Sequence, residues 1–258
     1  MSDSLLNVVR PRAGVVEVVL NDPGRFNALG GEMLEQLIAT FKDLALDESL
    51  RAVVIAGNGK AFCAGHNLKD MAAHPELQWY QALFAQCTRF MLSIHQLPVP
   101  VVAKVQGIAT AAGCQLVAQC DLAVASEEAR FAVSGIQYGL FCSTPSVPLV
   151  RNVPLKKAME MLVTGEFVSA QDALQAGLLN RVVASDAVDA EVERLLDAIV
   201  AKPRISLARG KALLYAQKDM GLEAAYQLAA QTMAINMMDA AAQEGAQAFA
   251  QKRPPRWE

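Results

Sequence analysis

Two stretches of small residues hold the positions in this sequence where chemistry could be done. The first is Lys60-Ala61-Phe62-Cys63-Ala64-Gly65-His66-Asn67-Leu68, and the second is Val105-Gln106-Gly107-Ile108-Ala109-Thr110-Ala111-Ala112-Gly113-Cys114-Gln115-Leu116. Each follows a strand-like apolar run, and the second leads into a helix-like segment. The start of a helix carries unpaired N–H groups and a partial positive charge. Small residues let a ligand carbonyl approach that backbone. Two such loops side by side aim two N–H groups at one oxygen, which is an oxyanion hole, and each donor of such a hole is typically worth about 10²–10³ in rate. The same composition also suits ordinary turns that bring a helix close to a strand.

Other catalytic signatures are absent. Gly57-Asn58-Gly59 is followed by Phe62 where a dinucleotide fingerprint needs glycine, and Gly59-Lys60 by Ala61 where a phosphate loop needs Ser or Thr. No Gly-x-Ser-x-Gly elbow occurs. Histidines 66, 74 and 95 lack zinc-ligand spacing and there is no Cys-x-x-Cys, so no metal is expected. Cysteines 63, 87, 114, 120 and 142 are odd in number and read as reduced, buried thiols.

The elements that would position the loops alternate. Leu5–Arg10 and Val15–Leu20 read as a hairpin, Glu32–Leu46 as an amphipathic helix and Ala52–Ala56 as a buried strand. The stretch 57–69 reads as a loop, and a helix is expected from Pro75 to about Gln96. Pro98–Val105 is a strand, 107–113 a small-residue turn, Cys114–Gln119 a short helix and Leu122–Ala125 a strand. This is an α/β pattern. Ser169-Ala170-Gln171-Asp172 has the form of a capping box, with Gly177 as a helix stop. Beyond Asp186 four helices are expected, near 187–200, 204–219, 221–237 and 239–251. The Ala- and Met-rich 224–250 stretch reads as subunit-contact surface. The organisation is a core of residues 1–195 and a helical region of 196–258. At 258 residues and a net charge of 23 − 26 = −3, the chain has no basic excess for a nucleic-acid partner. It shows no apolar run of about 20 residues for a membrane. Without a visible transit or secretory segment, a cytoplasmic location is expected.

The two loops, about 50 residues apart, resemble those of the enoyl-CoA hydratase/isomerase (crotonase) superfamily. The resemblance spans nearly the whole chain. It includes Arg25-Phe26-Asn27-Ala28-Leu29, Cys120-Asp121-Leu122-Ala123, Leu162-Val163-Thr164-Gly165, Ala173–Gly177, Leu179–Val183 and the ending around Phe249, Lys252, Arg253 and Pro255. It implies a crotonase spiral of β-β-α turns with a C-terminal helical region that forms a trimer or a hexamer of two trimers. It implies an oxyanion hole from the backbone N–H groups of His66 and Ala112, and a CoA path along Arg25, Ala28, Ala64 and Lys69, with Lys252 from the C-terminal part or a neighbour. The ligand or substrate is then an acyl-CoA thioester, with no cofactor or metal.

The sequence departs from the hydratases of this family at both of their glutamates, which align with Gln115 and Gly135. A glutamine amide has no basic site near neutral pH. General acid–base groups contribute about 10²–10⁴ each, so hydratase activity is expected to be weak or absent. Strings 108–116 and 139–145 are similar to a eukaryotic mitochondrial branch of the family with the same glutamine. Decarboxylation of a malonyl-type thioester needs no base. The family's methylmalonyl-CoA decarboxylase branch also lacks the glutamates, but it carries a tyrosine where this chain has Cys142, with Tyr138 nearby in sequence. Cys142 is a candidate nucleophile or proton donor without an evident base. The competing readings are a weak hydratase, a decarboxylase, an acyl-CoA-binding or regulatory protein without turnover, and isomerase or thioesterase chemistry.

Overall fold

The computed structural model describes residues 4–257. A six-stranded sheet has the order β1 (Leu6–Arg12), β2 (Val15–Leu20), β3 (Ala52–Gly57), β5 (Val101–Val105), β7 (Leu122–Ser126), β10 (Arg181–Val183). A second sheet has the order β4 (Ala61–Cys63), β6 (Ile108–Thr110), β8 (Arg130–Ala132), β9 (Val168–Ser169). β3 then β4, β5 then β6, and β7 then β8 each place one strand in each sheet before the chain turns into helix. Repetition of that step, with parallel pairing throughout these strands, makes the spiral expected for a crotonase fold.

The central strands are apolar on both faces because both faces are covered. Their period-2 alternation sorts them. Val53, Ile55, Val101, Ala103, Val105, Ala123 and Ala125 point into the main core, with residues of α1 (Gly31–Ala45), α3 (Leu77–Gln96) and α4 (Ala112–Gln119). Ala52, Val54, Val102 and Val124 point the other way, against Val188, Val192, Leu196 and Ile199 of α8 (Val188–Val200).

The remaining helices are α2 (Leu68–Ala73), α5 (Ser143–Asn152), α6 (Leu155–Thr164), α7 (Ala170–Gln175), α9 (Arg204–Gln217), α10 (Leu222–Met237) and α11 (Ala240–Ala250). The four C-terminal helices match the sequence expectation closely. Ser169 caps α7, its Oγ accepting from the Asp172 amide and donating to the Asp172 carboxylate at 2.7 Å. Three expectations shift. The presumed loop 57–69 contains β4 and runs into α2, and the presumed turn 107–113 contains β6 and the first turn of α4. The long helix starts at Leu77 rather than Pro75. Three-residue strands carry too little periodicity to be seen in a sequence.

α9 is fastened to the core by a buried ion. The Lys211 ammonium donates to the carbonyls of Ile94 (2.7 Å) and Val99 (2.9 Å) and to Asp121 Oδ2 (2.7 Å). Tyr215 donates to the other Asp121 oxygen at 2.7 Å, and the His95 ring stacks on Tyr215. Removing one partner of such a buried pair leaves the other charge uncompensated. Lys211→Ala is therefore expected to destabilise the fold by about 3–5 kcal/mol in urea unfolding.

Candidate functional site

The two loops meet through backbone contacts that only glycine permits. β4 and β6 pair in parallel, Ala61 opposite Ile108 and Cys63 opposite Ala109. A Cβ at Gly113 would lie 1.9 Å from the Cys63 carbonyl oxygen. A Cβ at Gly65, where φ is +87°, would lie 2.9 Å from the Ala112 nitrogen. The residue bearing the first N–H, His66, thus follows a glycine packed against the second N–H, that of Ala112. Among the described residues neither amide donates a hydrogen bond to the backbone or to a side chain. Ala111, just before the second amide, has φ 50° and ψ −120°. This backbone conformation favours glycine and costs a residue with a Cβ of order 1–3 kcal/mol. The strain sits next to a free donor at the N-terminus of α4.

The Arg25–Leu29 stretch is bonded to the first loop. The Ala64 amide donates to the Phe26 carbonyl (3.0 Å) and the Leu29 amide to the Gly65 carbonyl (2.8 Å). Asn27, fully buried, explains why the stretch bends there. Its Nδ2 reaches the carbonyls of Asn58, Ala61 and Phe62, and its Oδ1 accepts from the Asp22 amide. Phe26 and Asn27 are both left-handed, at φ 53° and 55°. Asn27 belongs to the motif read in the sequence, but its part as the tie between turn and loop needed the tertiary structure. Arg25, Ala28 and Ala64 therefore share one neighbourhood. Arg25 pairs with Asp22 at 2.7 Å and stays largely exposed. Lys69 is exposed in the first turn of α2, where its amide donates to Asn67. Lys252 is exposed just beyond α11, with φ 54°.

The His66 ring adds a third tie, its Nδ1 lying 2.8 Å from the Leu29 carbonyl. A carbonyl only accepts, so Nδ1 bears the hydrogen and Nε2 a bare lone pair. Nε2 is sealed from solvent and unpartnered, and the Phe84 ring meets the imidazole edge-on at 5.5 Å. Burial pushes the imidazole below its ordinary 6.5, against the opposing pull of the Leu29 carbonyl. Below that ordinary value an unfolded chain takes up a proton that the folded chain resists, so stability falls as the pH drops under about 6.5. His66→Gln is expected to flatten this dependence in urea midpoints taken at about pH 7.5 and about pH 5.5. His95, also lowered by burial, leaves a residue of it.

Neither position of the family's glutamates carries an acid. Gln115 lies on α4 one turn after Ala112, is 5% exposed, and its Oε1 has no partner. Gly135 lies in the 3₁₀ turn Ser134–Tyr138. A Cβ there would fall 2.5 Å from the Leu140 carbonyl oxygen and 2.8 Å from Cys142 Sγ. The Gly135 amide donates to that sulfur at 3.3 Å. The Cys142 thiol thus occupies the space a side chain at 135 would need. Gly135→Glu is expected to lower the thermal midpoint by several degrees, as overpacking costs of about 1–3 kcal/mol do. The Cys142 thiol is buried, with its pKa raised by burial, and no base accompanies it in its hydrogen bonds. Tyr138 is 70% exposed and so does not fill a buried position. Thr110 and Ser134 join their hydroxyls at 2.8 Å between the second loop and this turn. Among the described residues no group of three His, Cys, Asp or Glu could hold a metal ion, and no helix is long and apolar enough to cross a membrane.

The family model for enoyl-CoA hydratase/isomerase matches residues 10–258. Enoyl-CoA hydratase domain-containing protein 3, mitochondrial, of Rattus norvegicus is 43% identical over 256 residues, covering 99% of this chain and 85% of the relative. A crystal structure of an enoyl-CoA hydratase from Mycobacterium smegmatis superposes with a TM-score of 0.98 at 60% identity, covering 99% of each chain. The crystal structure of human enoyl Coenzyme A hydratase domain-containing protein 3 superposes at 0.94 and 42% identity, covering 98% of this chain and 100% of that one. The expected cytoplasmic location is corrected by these relatives. The rat protein, which matches 99% of the chain, is named mitochondrial, and that name overturns the expectation. The matched model, the relatives and the paired sheets agree: this chain belongs to the enoyl-CoA hydratase/isomerase family.

Proposed function

We propose that this protein binds acyl-CoA thioesters and stabilises an enolate on the thioester carbonyl with the backbone N–H groups of His66 and Ala112. One observation carries the reading: two amides on touching loops, both without a hydrogen-bond partner among the described residues. A fixed pair of donors stabilises charge that develops on a carbonyl oxygen. Arg25, Ala28, Ala64 and Lys69 would line the CoA path, with Lys252 supplied from the C-terminal part or from a neighbouring copy. Gln115 and Gly135 would stand where the hydratases carry acids, so water addition lacks its general acid and base. Cys142 would fill space beside Gly135 rather than attack.

A second reading has its own support. No carboxylate stands at Gln115 or Gly135 to repel an acyl group bearing one. Loss of CO₂ from a malonyl-type thioester leaves its bonding pair on the α-carbon, and the two amides take the resulting enolate charge. Titration calorimetry with butyryl-CoA and with free CoA tests the shared claim. Saturable binding of the thioester supports it, and no binding of either sinks it. Release of CO₂ from malonyl-CoA then separates the decarboxylase from a binder without turnover.

The same reading includes a trimer, or two trimers stacked. Leu222, Tyr226, Met233, Met238 and Phe249 are each at least 70% exposed on or next to α10 and α11, more apolar surface than a monomer usually leaves in water. Sedimentation equilibrium is expected to show three or six chains.

A further inference from the structure

The strained residue of the site and the residue bearing its second amide are consecutive alanines. Ala111 has φ 50° and ψ −120°, a combination that residues with a Cβ seldom adopt. It is held there from both sides. Its amide donates to the Ala132 carbonyl of β8 at 3.0 Å, and its carbonyl accepts the first hydrogen bond of α4, from the Gln115 amide, at 3.0 Å. The Thr110 and Ser134 hydroxyls, 2.8 Å apart, tie the preceding residue to the turn that follows β8. One peptide unit therefore carries two groups. The Ala111 carbonyl is engaged in the helix, and the Ala112 N–H has no partner among the described residues.

Half a turn of that peptide about its own axis would release the strain. It takes ψ of Ala111 from −120° to about +60° while φ stays at 50°, the left-handed region that an alanine can occupy. The same rotation swings φ of Ala112 from its negative helical value to about +120°, where a Cβ clashes with the backbone. We propose that the two methyl groups form a strained latch on the second donor. Ala111 drives the peptide to turn over, and the Ala112 methyl forbids it. The N–H, and not the Ala111 carbonyl, is thereby kept aimed at the thioester oxygen. The proposal rests on the acyl-CoA reading of the site, and it makes Ala111 a positioning residue.

The latch has a consequence that simple packing does not. A glycine at 112 alone removes the lock while the strain at Ala111 stays loaded. The peptide then turns over, at the loss of the Gln115 bond, and presents a carbonyl where the donor stood. Glycine at both positions removes lock and strain together. Only the Gln115 bond is then at stake, and it favours the N–H in the hole. The second glycine therefore restores what the first one takes away, whereas two ordinary losses of packing would add. The Ala111 methyl also lies where a Cβ on Gly65 would meet it at 2.9 Å, so the latch bears on the loop that carries the first amide.

The test uses acetoacetyl-CoA, whose α-carbon gives up a proton to water in mildly alkaline solution and whose enolate absorbs in the near ultraviolet. A pH titration of the bound thioester reads how strongly the hole favours the enolate over the keto form. Ala112→Gly is expected to weaken that preference about 10-fold, as the strain released exceeds the one hydrogen bond lost. Ala111→Gly/Ala112→Gly is expected to recover it to within about 3-fold of the wild-type protein. Ala111→Gly alone is expected to raise the thermal midpoint by about 2–4 °C, because it relieves the strain. An Ala112→Gly protein that keeps the full preference overturns the proposal while the acyl-CoA reading stands. A loss that the second glycine fails to recover overturns it too, as does a lowered midpoint in Ala111→Gly, which needs no ligand. If the wild-type protein does not bind acetoacetyl-CoA, the acyl-CoA reading fails and takes the proposal with it.

Discussion

Replacing Gln115 by glutamate is expected to raise crotonyl-CoA hydration by at least about 10²-fold over the wild-type protein. The wild-type rate is expected to lie near background. Hydration needs a group that takes a proton from water and one that delivers a proton to the α-carbon. Gln115 offers an amide, which has no basic site near neutral pH. Gly135 offers only backbone, and its amide is already engaged with Cys142. A carboxyl at 115 would be buried on α4 beside the free Ala112 amide. Burial would push it above the usual carboxylate range. The gain should therefore grow with pH through the neutral range. Loss of the enoyl absorbance measures it. A wild-type turnover near the roughly 10 s⁻¹ typical of enzymes would overturn the argument from the missing acids. His66 would then be the first group to examine. Gln115→Glu is the informative change because position 135 is closed: the Leu140 carbonyl stands 2.5 Å from any Cβ placed there.

Gly113→Ala is expected to cost at least about 10²–10³ in any reaction that runs through the two amides. A methyl group there would overlap the Cys63 carbonyl oxygen at 1.9 Å and approach its carbon at 2.7 Å. These are backbone atoms of β4, which is held in register by β6, so neither side can yield cheaply. Relief comes only by moving the first turn of α4 off β4, and the Ala112 amide moves with that turn. A displacement near 1 Å is enough to spoil such a hole. Stability should fall as well, by about 1–3 kcal/mol, as overpacking usually costs. Gly210→Ala is the control. It lies within α9 with nothing within 4 Å of an added Cβ, and it is expected to stabilise by about 0.5–1 kcal/mol. Thermal unfolding beside turnover or thioester affinity separates loss of fold from loss of the hole. Unchanged function in a well-folded Gly113→Ala protein would refute the assignment of the Ala112 amide.

Local order was largely legible from the residues. The hairpin, the central strands, the long amphipathic helix and the four C-terminal helices follow from apolar periodicity and capping chemistry, and they fall within a few residues of where those signals end. The α/β class follows from their alternation. The loops with free amides were visible as small-residue stretches after strands, and Gln115 and Gly135 as departures from a family pattern. These features depend on neighbours close in sequence, which a linear reading captures.

Contacts between distant segments decided the rest. That β4 and β6 pair at all depends on two three-residue strands too short to announce themselves. The Asn27 side chain joins carbonyls 31 to 35 residues away. The His66 imidazole is fixed by a carbonyl 37 residues earlier, and that bond alone decides which ring nitrogen keeps its lone pair. Cys142 closes the space over Gly135 from seven residues on, so a glycine that reads as a lost acid is a position with no room for one. Residue types say which groups are present. Which of them are paired, strained or left without a partner depends on where the chain returns, and the chemistry of this site lies in the groups left without one.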